Sequence, residues 1–225
     1  LTQNRPKTES LGFMKSISHL KDKEIILYFL GYFFFFCGFN ILRGDLTYYL
    51  SAVMQKDIKY LTVISVVLFG MAGLFFPITN KFGKKYSYKK ILIVDMMLLI
   101  IGTFGLLFIN KNNSIFAYLL FVICGTGLSG AAFIFPQAML SEISAKLSET
   151  KKVSLEGFMF GIQGMFLKLA FLVQQVVQST LLVAGNQNIQ NGVKGATELG
   201  VKVTLVVALA LFGVSLFFYN LKKED

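Results

Sequence analysis

Charge is what this sequence has least of. Aspartate, glutamate, lysine and arginine make up 15% of the 225 residues, against about 25% in an ordinary soluble domain. Hydrophobic residues reach 55%, and mean hydropathy is +0.64. A chain of this length cannot hide so much apolar surface from water. The shortage of charge therefore excludes a water-soluble globule and makes lipid the expected solvent. Histidine occurs once, so no metal cluster or Cys–His pair can be assembled. His19 has no carboxylate or cysteine nearby and reads as an exposed interfacial residue. The two cysteines, Cys37 and Cys124, lie inside apolar runs without ligand spacing and read as small buried hydrophobes. No phosphate loop of the form G-x-x-x-x-G-K-[ST] is present. Taken together, these absences predict a chain that is not an enzyme and holds no cofactor. Nothing near the start reads as a signal peptide, and the first residue is Leu1, so a segment of a longer protein is expected.

What is present is a series of long apolar runs. A helix needs about 20 mostly apolar residues to cross the hydrocarbon, and six segments qualify: 25–50, 58–79, 91–109, 115–139, 157–183 and 203–221. The net charge of +10 sits in the short gaps between them. Membrane topology explains that pattern better than nucleic-acid binding does. Fifteen of the 22 lysines and arginines lie before the first segment or after the second, fourth and sixth; five lie in the other gaps. The bias predicts both ends of the chain on the cytoplasmic side of a plasma (inner) membrane. Residues 1–24 form a polar lead-in. There Leu11, Met14, Ile17 and Leu20 recur every third residue, the pattern of an amphipathic helix on the membrane surface. Gly125, Gly127 and Gly130 match G-x-G-x-x-G, but inside an apolar run and not between a strand and a helix. Close helix packing through Gly127 and Ala131 is the better reading, with Pro136 kinking or ending that helix.

Ionisable residues inside a membrane are costly and usually face a cavity or a partner. Lys168 is the strongest such signal. It lies eleven residues into the fifth segment, roughly 16 Å along a helix and near mid-bilayer. At about 100° per residue, Gln163, Gln174, Gln175, Gln178 and Lys168 share one arc of roughly 140°, with Gly157, Gly161 and Gly164 on or beside it. An amide-rich face of this kind suits the hydroxyls of a polar solute; the alternative is a buried lysine paired to a carboxylate of another helix. The first segment carries a second polar stripe of Asn40, Arg43, Gly44 and Thr47, with Tyr48 at its edge. Arg43 reads either as a snorkelling residue at the outer interface or as a wall of the same cavity. Asp45 points away from the stripe and is expected to be exposed or paired locally. Asp95, close in sequence to Lys84, Lys85, Lys89 and Lys90, is expected to form a structural ion pair at a helix end.

Three stretches resemble the C-terminal half of the glycoside–pentoside–hexuronide:cation symporters, the melibiose-permease-like branch of the major facilitator superfamily. Tyr48-Tyr49-Leu50 resembles the paired tyrosines of that family's seventh helix. Pro136-Gln137-Ala138-Met139-Leu140-Ser141-Glu142 resembles its signature at the cytoplasmic end of the tenth. Glu156-Gly157, followed by Lys168, resembles the entry and central lysine of the eleventh. Asn80-Lys81-Phe82-Gly83-Lys84-Lys85 is similar to a degenerate copy of the superfamily's Asp-Arg-x-Gly-Arg-Arg loop. The chain departs from the pattern at Ala145, where a second acid is frequent, and at 153–155, where a basic residue usually precedes Glu-Gly.

The resemblance implies an all-α membrane fold: a six-transmembrane-helix bundle over 25–225, one half of a twelve-helix transporter with inverted three-helix repeats. It implies cation-coupled symport of a sugar or related polar solute, with a role for Lys168 in coupling and recognition. The coupling cation, sodium or proton, would bind mainly in the N-terminal half. The expected partners are thus a small-molecule solute, membrane lipid and the N-terminal six-helix half, with no nucleic acid. Two other readings stay open: a transporter of the same family that moves a lipid-like zwitterion, and a non-transporting scaffold or receptor.

Overall fold

The computed structural model describes residues 22–151, 155–184 and 195–221. The amphipathic lead-in expected over the first residues lies almost wholly outside them. The described chain is helical and contains no strand: α1 Lys23–Tyr48, α2 Leu61–Tyr86, α3 Tyr88–Leu106, α4 Ile115–Ala131, α5 Phe135–Lys151, α6 Glu156–Leu181 and α7 Glu198–Leu221. Five stretches are long and apolar enough to cross a membrane: Lys23–Val53, Ile58–Tyr86, Ile115–Glu149, Glu156–Leu181 and Glu198–Leu221. The remaining long apolar helix, α3, opens with Lys89 and Lys90 and carries Asp95 in its second turn.

The helices overrun the apolar segments at several ends. α2 continues past Thr79 through the lysine-rich loop expected there, leaving Ser87 as the whole connection to α3. α1 passes Leu50 in a π-helical turn, Tyr49–Val53. The physical reason is that hydropathy marks the thickness of the hydrocarbon and not the end of backbone hydrogen bonding. Lysine is a good helix former and snorkels beyond the slab. The expected fourth segment is two helices: α4 stops at Ala131, a turn follows, and α5 starts just before Pro136. Proline is well tolerated in a first helical turn, where its missing N–H costs nothing.

Two groups of helices share their first members. α1 packs mainly on α7 and α6, while α4 packs mainly on α3 and α2; α3 also meets α7. Each triplet, α1–α3 and α4–α7 with its broken first helix, thus lends its leading helix to the other. Close approach makes this possible. A Cβ on Gly38 of α1 would lie 2.9 Å from the Phe212 ring and 3.0 Å from the Ala208 carbonyl of α7. The Ser215 hydroxyl donates to the Gly31 carbonyl across the same seam at 2.7 Å. The glycines of the false dinucleotide motif serve packing in the same way: a Cβ on Gly127 would meet the Leu99 nitrogen of α3 at 2.8 Å. The outer surface is as apolar as the core. Leu74, Ile115, Leu172 and Phe217 are all more than 60% exposed, as a lipid-facing surface allows.

Candidate functional site

α6 decides where the polar residues go. Its buried edge carries Met159, Gln163, Ala170, Gln174 and Gln178. Its opposite edge is open: Gly157, Gly161, Gly164, Lys168 and Gln175 are exposed, and a Cβ on any of the three glycines would meet nothing within 4 Å. The boundary between buried and open surface therefore runs through the middle of the polar arc that the sequence predicts as one face. Gln163 and Gln174 turn inward; Lys168 and Gln175 do not. The arc itself is sound as geometry. Polarity alone does not say which part of it a neighbouring helix will cover.

The inward amides are consumed by the fold. Gln163 Nε2 donates to the Tyr28 hydroxyl of α1 at 2.7 Å, and that hydroxyl donates onward to the Pro136 carbonyl at 2.6 Å. One tyrosine oxygen thus ties α1 to α6 and to the start of α5. Gln174 Nε2 donates to Gln178 Oε1 at 2.7 Å. Gln178 Nε2 in turn donates to Asp45 Oδ1 at 2.8 Å, and Thr204 of α7 donates to Asp45 Oδ2 at 2.6 Å. Gly44 makes room for these amides. A Cβ there would collide with the side chains of both Gln174 and Gln178.

Asp45 is therefore not an exposed or locally paired residue. It is 1% exposed and bonded to two other helices. Its position carried a signal that the polar stripe concealed. Gly31, Gly38 and Asp45 are seven residues apart, so all three lie on the α7-facing side of α1. Asp95 also departs from expectation. It is 5% exposed, its Oδ2 has no hydrogen-bond partner, and it forms no ion pair among the described residues. Of the lysines near it in sequence, Lys89 reaches the Asn220 carbonyl and Lys85 lies 5.0 Å from the Tyr86 ring centroid. Asp95 instead lies against Gly130 at the end of α4, where any side chain would strike its carboxylate.

The stripe on α1 divides in the same manner. Asn40 is 1% exposed and its Nδ2 has no acceptor among the described residues. Arg43 and Tyr48 are exposed. The Arg43 guanidinium lies 5.5 Å above the ring of Phe171, an attractive arrangement. Phe171 is one helical turn beyond Lys168, so the structure brings both cations to one open side of the α1–α6 pair. The second tyrosine of the Tyr48-Tyr49 pair does the opposite and buries, donating to the Leu106 carbonyl at 2.8 Å.

Lys168 is the thirteenth of the 26 residues of α6 and has no hydrogen bond or ion pair among the described residues. A cation at the centre of an apolar helix, bordered by glycine and open on its own side, suits contact with something outside this bundle. No group of three or more histidine, cysteine or acidic residues suited to a metal ion occurs among the described residues. No curated protein matches the chain. The family model described as MFS/sugar transport protein matches residues 2–223. With its long apolar helices, this chain is an integral membrane protein and belongs to the MFS/sugar transport protein family of the major facilitator superfamily.

Proposed function

We propose that this chain is one six-helix half of a secondary active transporter that moves a sugar or related polar solute by cation-coupled symport across the plasma (inner) membrane. Both ends of the segment would be cytoplasmic, and a second six-helix unit would cover its open face. The observation that carries the reading is Lys168: an ammonium at the centre of α6, on a face of glycines and Gln175 that is open among the described residues. The division of the helices into two triplets supports it, because each six-helix half of such transporters is built of two three-helix repeats.

Under this reading the polar residues form two layers. Lys168, Gln175, Arg43 and Tyr48 reach the transport path. Gln163, Gln174 and Asn40 stand behind them: Gln163 holds α6 to α1 through Tyr28, Gln174 orients Gln178, which bonds Asp45 of α1, and the Nδ2 of Asn40 is left for a water or solute oxygen. The coupling cation binds mainly in the other half. The test is solute uptake beside protein abundance in the membrane. Lys168→Ala abolishes uptake while accumulating normally, since the lost charge was costly to hold. Lys168→Arg also fails, because a guanidinium is planar and larger. Normal uptake by Lys168→Ala refutes the assignment. Failure to accumulate makes Lys168 structural.

One observation favours the second reading, a lipid-like zwitterion as substrate. Met165, Leu169 and Leu172, all exposed, border Lys168, and an ammonium beside an apolar strip suits a phosphate with a chain attached. Competition between a sugar panel and a lysophospholipid for uptake separates the two.

A further inference from the structure

Asp45 carries chemistry that the transport face does not use. It is a carboxylate 1% exposed in the interior of an apolar bundle. Burying an ionised carboxylate without a cation is expensive, and among the described residues no cation pairs with it. On its own helix, Arg43 is exposed and stacks over Phe171, and the Tyr49 hydroxyl donates to the Leu106 carbonyl. From α6 it is met by the neutral amide of Gln178, which is itself bonded to Gln174. On α7 the charged residues nearest Thr204 in sequence, Glu198 and Lys202, are joined to each other at 2.6 Å. On the α3 and α4 side the surroundings are Leu106 and Phe121, with the Cys124 thiol directed to Thr103.

The hydrogen-bond pattern fits both states of the acid. A threonine hydroxyl has one hydrogen to give and lone pairs to receive. Thr204 Oγ1 lies 2.6 Å from Asp45 Oδ2 and 2.8 Å from the Val201 carbonyl. When Asp45 is ionised, the Thr204 hydrogen points to Oδ2. When a proton arrives on Oδ2, the new O–H donates to Thr204 Oγ1, whose own hydrogen turns to the Val201 carbonyl. Gln178 Nε2 donates to Oδ1 in both cases. No heavy atom need move and no polar atom is left unpaired. A purely structural carboxylate has no use for a partner that can reverse its role.

We infer that Asp45, read through the Thr204 rotor, is a proton-binding site within this chain's own bundle. Proton binding here is independent of which solute is carried, and can be measured without one. Infrared difference spectra of the intact protein in proteoliposomes are recorded while the pH is stepped from acidic to alkaline. We expect a buried carboxylic-acid carbonyl band that disappears as pH rises and is lost entirely in Asp45→Asn. That variant should fold, since the asparagine amide donates to Thr204 as the acid does and its oxygen still accepts from Gln178. Thr204→Val keeps the band and moves its midpoint to higher pH, because a hydrogen bond to the charged form is the stronger one. A band that survives in Asp45→Asn, or is lost in Asp95→Asn instead, overturns the inference. So does a wild-type spectrum with no such band, or an unmoved midpoint in Thr204→Val.

Discussion

α1 and α6 are each 26 residues long and both are apolar enough to span a membrane. Yet 78% of the most apolar stretch of the span containing α1 is buried within the bundle, against 17% for α6. Hydrophobicity does not explain the difference, because lipid accepts either face. The use made of the small and polar residues does. On α1, Gly31 and Gly38 admit α7, and Asp45 is bonded to two helices. On α6, Gly157, Gly161 and Gly164 admit nothing, and the central cation has no partner among the described residues. The same residue types hold one helix in the middle and leave the other at the edge. What distinguishes them is whether a neighbour uses the space.

The two helices should differ most in their response to substitution of the glycines. Gly38→Leu drives a side chain into Phe212 and the Ala208 carbonyl, and overpacking of this severity costs on the order of 3 kcal/mol. Folded protein should be largely lost, as measured by monodisperse yield in detergent. Gly161→Leu meets open space and should change stability by no more than about 0.5 kcal/mol. Transport should nonetheless stop if another body closes on that face. Equal thermal midpoints for the two variants would erase the contrast between the helices. A smaller effect is expected where the two helices meet. Tyr28→Phe leaves Gln163 Nε2 and the Pro136 carbonyl without their partner. Hydrogen bonds between membrane helices contribute about 0.6 to 2 kcal/mol, so a loss of about 1 kcal/mol is expected in denaturant unfolding. Topology sharpens the picture at no cost to stability. Cysteines replacing Lys84 and Asn112, both exposed, should label from opposite sides of the membrane.

Much of the fold is legible in the sequence because length and apolarity are local properties. The first apolar run and a break close to Pro136 follow from composition, although the helical chain goes on past Leu50 and the break precedes the proline, which opens α5. The site is less legible, for an equally physical reason. Asp45 has its partners Gln178 and Thr204 133 and 159 residues away, and no local pattern joins them. Helical periodicity places Gln163 and Lys168 in one polar sector and stops there. In water, burial would tell the two apart through hydrophobicity. In lipid, an amide bonded to Tyr28 and an ammonium facing outward look alike along the chain. The seven-residue series of Gly31, Gly38 and Asp45 was the one readable hint, and it speaks of packing and not of polarity.

The single residue between α2 and α3 has a mechanical meaning. Ser87 joins a helix of 26 residues to one of 19 and does so at φ 117°, a backbone region that glycine accepts more readily. A joint of one residue has no slack. If α2 tilts, α3 must tilt with it, and α3 bears on both α4 and α7. The hairpin therefore acts as a crank: motion imposed on the exposed flank of α2 is delivered through α3 to α7, a helix that α2 scarcely touches. Lengthening the joint by a few flexible residues would leave every helix intact and disconnect the linkage.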